Sequence, residues 1–273
     1  MKKFFLLILN LFISIIFAQD LQVRIVGKFQ MDVPAVGPFS MTFNQTVAPG
    51  FFKREEKIEA ERFYARWMMN EETGEILIDG TEKVIMYNKD EEEYWLQSPE
   101  DYFRVPDTST DNNKTISYSF SSDDDDDTTP PKCTRTGGKN IEFLHGFKTK
   151  KWITTISMSE KKMVFEEWFV DTLPLKFLSD SLEFEIKSTF NPHKEMIESD
   201  EFEFSSNIFI IGLDSLTLLE PIPGHAVKIN FLIFDDDDDP SMTASFEILE
   251  LYAEPVDTGY YVIPENYEKT EMD

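Results

Sequence analysis

Residues 147–171 confine the fold of this chain more tightly than any other stretch. Segments 147–158 (FKTKKWITTISM) and 163–171 (MVFEEWFVD) are rich in β-branched and aromatic residues, and a polar turn at 159–162 separates them. That pattern predicts a β-hairpin. Alternation places Trp152, Ile156 and Met158 on one face of the first strand, and Val164, Trp168 and Val170 on one face of the second. Two tryptophans on one hairpin need a facing layer or an apolar cavity to cover them. The rest of the chain must supply a sheet with one covered face.

The flanking sequence reads as more strands. Residues 21–33 alternate, with Leu21, Val23, Ile25, Phe29, Met31 and Val33 opposite Gln22, Arg24, Lys28, Gln30 and Asp32; Gly27 marks a bulge. A turn at 34–38 leads to a returning strand, 39–47, that ends at Pro49–Gly50. Residues 51–67 fit two patterns. Ile58, Arg62 and Ala65 share a helical face, while Ile58, Ala60, Arg62 and Tyr64 alternate as in a strand. After a turn at 70–74, strands at 75–79, 83–88 and 94–97 extend an up-and-down meander.

Residues 106–138 are polar and read as a long loop insertion with Asp123–Asp127 at its tip; only 115–120 has strand character. Beyond the hairpin, Leu175, Leu178, Leu182 and Ile186 stand near helical spacing in 174–190. Residues 205–220 (SSNIFIIGLDSLTLLE) predict an apolar helix, capped by Ser and Asn and stopped by Pro221 and Pro223. The acidic stretch 191–204 between them reads as a second insertion. Strands at 226–234 and 241–254 flank the Asp235–Asp239 turn, and an extended segment bounded by Pro255 and Pro264 closes the chain. No internal repeat and no linker divides residues 19–273, which read as one domain.

Compartment and charge narrow the function. Lys2 and Lys3 precede an apolar stretch, 4–17, and the small Ala18 precedes Gln19–Asp20, which predicts a signal peptide over residues 1–18. The run is shorter than the roughly 20 residues a membrane span needs. The expected location is periplasmic or secreted, with no spanning segment. Removing two lysines with that peptide leaves 52 acidic against 24 basic residues, so the mature formal charge is −28 against −26 for the full chain. Such a surface excludes nucleic acid as a partner and repels anionic headgroups. Cys133 is the only cysteine, which rules out an intramolecular disulfide. It falls in the polar loop stretch.

Enzyme chemistry has little to stand on. His145, His193 and His225 sit beside Gly or Pro turns, and no nucleophile elbow, zinc-binding helix motif or phosphate loop occurs. A Cys133–His145 dyad has no supporting context. The unbroken runs Asp123–Asp127 and Asp235–Asp239 lack the Gly or Asn spacing that makes carboxylates converge on a cation, so they read as solvated loop tips, with weak, non-structural cation binding as the alternative, and no metal site is expected. No cofactor is implied. The aromatic load, 25 Phe, 9 Tyr and 4 Trp, fits an ordinary β core or the lining of an apolar cavity.

Three segments in order carry a resemblance: IDGTEKVIMYNKDEEEYW (78–95), HGFKTKKW…EEWFVDTLP (145–174) and PGHAVKINFLIF…YYVIPENYEK (223–269). The set resembles an uncharacterised family of secreted bacterial proteins that is in turn similar to the lipoprotein-carrier superfamily of Gram-negative envelopes. The resemblance implies a mainly β fold: a curved, open antiparallel sheet, or incomplete barrel, with one or two helices plugging its concave face. It also favours strand for 51–67. It implies a non-enzymatic protein that holds a hydrophobic ligand, such as a lipid or acyl chain, in the half-barrel. The cavity candidates are Trp152, Ile156, Trp168, Val170, Phe209 and Leu216. The alternative is an envelope structural or interaction protein with a self-filled barrel and acidic loops that contact partners.

Overall fold

The computed structural model describes residues 20–33, 37–104, 132–157, 161–191, 206, 219–235 and 239–271. Twelve strands form one sheet: β1 (Leu21–Val33), β2 (Gly37–Ala48), β3 (Phe51–Ala60), β4 (Glu71–Ile78), β5 (Val84–Asn88), β6 (Glu93–Gln97), β7 (Lys132–Leu144), β8 (Phe147–Ser157), β9 (Lys162–Val170), β10 (His225–Phe234), β11 (Met242–Pro255) and β12 (Glu268–Lys269). Their spatial order is β12-β6-β5-β4-β3-β2-β1-β11-β10-β9-β8-β7, an open sheet that does not close into a barrel. Every pairing is antiparallel except that of the two-residue β12, which runs parallel to β6. Among the described residues the helices are α1 (Phe63–Met69), α2 (Pro99–Tyr102) and α3 (Pro174–Phe190), with a 3₁₀ turn at Thr258–Tyr261.

The alternation of the first strand holds over its full predicted length, and its irregularity falls at Val26/Gly27 against β11. Glycine is needed there because Phe43 of β2 lies over it: a Cβ on Gly27 would stand 2.2 Å from the Phe43 ring. Residues 51–67 divide between the two patterns they fit. Strand β3 ends at Ala60, whose partner Phe39 lies just past the turn end of β2. The amide of Glu61 makes the last bond, to the Pro38 carbonyl at 3.0 Å. With no strand left to pair against, Phe63–Met69 takes helical form. Asn70 caps that helix and its Oδ1 accepts from the Ala60 amide at 2.8 Å. Strand β4 therefore starts at Glu71, where a turn over 70–74 was expected.

Cys133 is also relocated. It is a half-buried strand residue of β7, opposite Ile156 of β8, because the polar run 132–137 pairs with β8 at the end of the sheet. The remaining loop residues 106–131, the signal peptide, most of the acidic stretch 191–204, and the 205–220 helix apart from Ser206, Leu219 and Glu220 lie outside the described residues.

Both sheet faces are partly covered. On one face, Val47, Phe52, Leu77 and Val84 pack against Ile186 and Phe190 of α3. Pro174 opens α3, where a missing amide hydrogen costs nothing, and Leu182, Ile186 and Phe190 follow at four-residue spacing on the buried side. Leu178, expected on that side, is 39% exposed. On the opposite face the closing segment lays Tyr261, Val256, Ile263 and Tyr267 over Ala48, Ile76 and Tyr87.

Candidate functional site

The face that carries α3 continues across the rest of the sheet. One rung runs Glu167–Ile229–Phe246–Phe29–Met41–Ile58 through β9, β10, β11, β1, β2 and β3. Phe29 alternates with Val23, which pairs with Val47 beneath α3, so the rung belongs to the helix-bearing face. Beyond α3 this face holds a second apolar cluster, Ile156, Met163, Phe165, Ile229, Phe231 and Ala244, none of it more than 5% exposed. The apolar surface thus spans the sheet from β5 to β8.

Two polar groups interrupt it. The first centres on Glu167, which is fully buried. Its Oε1 accepts from the Ser206 amide at 2.8 Å and its Oε2 from the Ser206 hydroxyl at 2.6 Å. Thr154 Oγ1 donates to Oε2 at 3.4 Å. Arg135 donates through Nε to Thr154 Oγ1 at 2.9 Å, through Nη2 to Ser206 Oγ at 3.3 Å, and through Nη1 to the Glu220 carbonyl. Burial pushes the Glu167 carboxyl above its ordinary range, opposed by the Ser206 bonds and the Arg135 charge. Burial pulls Arg135 the other way, below its ordinary value.

The second group is a rung near α3: Gln45, Arg54, Glu75, Met86 and Trp95 on β2 to β6. Gln45 Nε2 donates to Glu183 Oε2 of α3 at 2.8 Å, and Lys187 pairs with the other oxygen of Glu183 at 2.7 Å. Tyr102 of α2 donates its hydroxyl to Glu75 Oε2 at 2.8 Å. Burial raises Glu75 and drives the Tyr102 hydroxyl far up, the adjacent carboxylate adding to the latter effect. Two donors in this rung, Arg54 Nε and Trp95 Nε1, are buried without a hydrogen-bond partner, as is Ser179 Oγ on α3. A buried donor left unmatched costs about 1–3 kcal/mol.

The four described cavity candidates do not come together. Trp152 pairs with Glu167 and Lys151 pairs with Trp168, so the two indoles lie on opposite faces. Trp152 shares the helix-bearing face with Ile156, its ring packed over Gly138, where a Cβ would stand 2.2 Å away. Trp168 is bracketed by charge. Lys151 Nζ lies 4.6 Å and Lys228 Nζ 5.4 Å from its ring, and its indole N–H donates to Glu142 at 2.9 Å. The two indoles therefore do not share one lining. Val170 is buried with Val23, Ile25, Leu173 and Val227. Phe209 and Leu216 lie outside the described residues.

A cavity of about 780 Å³ crosses β9 to β3 elsewhere, and none of those four residues lines it. It spans the rung Glu166–Asn230–Ser245–Gln30–Ser40–Glu59, whose side chains point away from Phe231 and Ala244. Its walls are mixed, with Met31, Phe39, Phe231 and Leu232 lining it alongside these polar residues. Among the described residues no group of three His, Cys, Asp or Glu gathers to hold a metal ion. Cys133 and His145 stand at opposite ends of β7, roughly 40 Å apart along an extended strand, too far to act together. The site missed by sequence reasoning is the Arg54–Glu75–Trp95 rung; its only sequence signal is three polar-capable residues on alternating positions of neighbouring strands.

No family model matches the chain, and no curated protein matches it. Among solved structures the chain is similar to an outer-membrane lipoprotein-sorting protein domain from Vibrio parahaemolyticus, at 6% identity and a TM-score of 0.25, over 85% of each chain. It is also similar to a LolA superfamily protein from Nitrosomonas europaea, at 8% identity and a TM-score of 0.23, over 89% of this chain and 90% of that one. At these scores the likenesses establish no shared activity, and the architecture stands on the twelve-strand register itself.

Proposed function

We propose that the chain binds an apolar ligand with an acceptor-bearing polar head on the helix-bearing face of its open sheet, and performs no chemistry on it. The observation that carries this is the pair of orphaned buried donors, Arg54 Nε and Trp95 Nε1, on a face that also carries two apolar clusters. A carboxylate, ester or phosphate oxygen would satisfy them, and an acyl chain would extend toward Ile156 and Trp152. Each CH₂ buried contributes about 0.8 kcal/mol, so a chain of moderate length offsets the displacement of side chains now covering that surface. The setting is extracytoplasmic, following removal of the signal peptide.

A self-filled interaction protein is the second reading, favoured by the 2% and 6% exposure of Ile186 and Phe190 beneath α3. Native mass spectrometry of the protein from its own source, with lipid extraction, separates the two. A stoichiometric acyl species lost on denaturation supports the carrier. Uptake of a fluorescent fatty acid should fall about tenfold in Arg54→Met, one charge-assisted bond being worth ~1.5–3 kcal/mol, with folding intact. A clean apo mass together with no uptake sinks the proposal.

A further inference from the structure

The β7–β8 hairpin is a basic island on an acidic chain. Residues 132–157 hold six Lys and Arg against one acid, Glu142, whereas the whole chain carries twice as many acids as bases. The register pairs Phe143 with Lys148 and Ile141 with Lys150, so these four side chains share a face near the hairpin tip. Phe143 is 77% and Ile141 52% exposed, on the strand that ends the sheet among the described residues. Lys139 and Lys148 are exposed beside them. The single acid is turned away: Glu142 lies on the other face and accepts from the Trp168 indole. Lys150 pairs with Asp171 at 2.7 Å, but both are open to solvent and the pair exchanges readily with other anions.

The tip is also tied to the body of the sheet. His145 and Gly146, both at positive φ (49° and 85°), close the turn, and His145 Nε2 stands 2.8 Å from Glu247 Oε1. A fixed face that interleaves exposed apolar side chains with lysines matches the boundary between lipid headgroups and acyl chains.

We infer that this tip docks the chain on an anionic lipid surface, with Phe143 and Ile141 entering the headgroup boundary and Lys139, Lys148 and Lys150 meeting lipid phosphates. The net charge of the chain does not prevent this. Screening at physiological ionic strength acts over about 8 Å, while a strand of this length extends roughly 40 Å. Anionic lipid at the tip therefore meets the local positive charge, and the acidic body orients away from it. The docking is independent of the ligand proposed above.

The far end of the sheet supplies the control. Phe63 and Trp67 of α1 are each 88% exposed, but α1 follows the end of β3, at the sheet end where β1 finishes. The β7–β8 tip lies at the end where β1 begins. Arg62 and Arg66 are exposed beside these aromatics, with Glu59 and Glu61 next to them, so α1 is the competing surface at that end. One flat bilayer cannot touch both ends.

The test is flotation of the full chain with phosphatidylcholine vesicles, with and without phosphatidylglycerol, at low and high salt. Binding should require phosphatidylglycerol and weaken with salt. Joint Lys139→Glu and Lys148→Glu substitution should weaken it at least tenfold, and Phe143→Ser should weaken it at every salt concentration. Thermal unfolding of each variant confirms that folding is retained. Arg54→Met, which tests the ligand proposal, should leave flotation unchanged. The inference is overturned if wild type ignores anionic vesicles, if the lysine variant floats like wild type, or if Trp67→Ser abolishes flotation. Self-association that depends on Lys148, without vesicle binding, would also overturn it by assigning the tip to the acidic surface of a second copy.

Discussion

Glu167 shows how burial fixes the behaviour of a single side chain. Its folded value is raised above the ordinary 4.5, so the folded chain retains a proton that the unfolded chain gives up as pH rises. Its contribution to stability is present below 4.5 and is lost as pH climbs through the folded value. Glu75 carries the same sign. Glu167→Gln should therefore flatten the dependence of unfolding free energy on pH from mildly acid to neutral, read by denaturant titration. An unchanged slope would mean the group is not desolvated. Packing residues are equally specific. Phe165, fully buried against Phe231 at a ring separation of 4.7 Å, should lose about 3–5 kcal/mol on replacement by Ala. Gly27→Ala forces Phe43 off its position and should cost about 1–3 kcal/mol. Both are measured by the denaturation midpoint at constant slope. The role of Gly27 as a bulge was legible from one glycine in an alternating strand. The orphaned Arg54 and Trp95 donors were not, because partner loss depends on three neighbouring strands at once.

Elements differ in how much the sequence discloses. The central hairpin is where it was read, yet its tryptophans face apart. Alternation states which residues of one strand share a face, but the match across a hairpin depends on the turn, and one residue of register exchanges the faces. Residues 51–67 held two valid patterns, and what divided them was the end of the β2 partner, a tertiary fact. Cys133 was misplaced for a related reason, since an edge strand exposed along most of its length has the composition of a loop. The closing segment was read as an extended stretch bounded by Pro255 and Pro264. It lies over β2 to β6, with β12 added beside β6. A chain ending at Pro255 should therefore bare Ile76 and Tyr87, lose cooperativity in thermal unfolding and bind a hydrophobic dye. If unfolding is unchanged, Tyr261 is not part of the core.

At the scale of the molecule, β1 and β11 join two meanders, β1–β6 and β7–β11, in the interior of the sheet. Leu21 pairs with Pro255, and the Val256 amide reaches the Asp20 carbonyl at 3.1 Å. That seam has a kinetic meaning. Its partners are separated by most of the chain, and loop-closure entropy must be overcome before their contacts form, which makes folding slow. During synthesis the first meander is complete while β11 has yet to appear, so the β1 edge stays open to other chains. Refolding should show one slow phase that Ile25→Ala or Ile248→Ala retards further, since both side chains bury at the seam. If those variants speed unfolding and leave refolding untouched, the seam closes after the rate-limiting step. In either case the interval before closure is when this chain is most open to aggregation, and an acidic surface that keeps nascent copies apart acts in that interval.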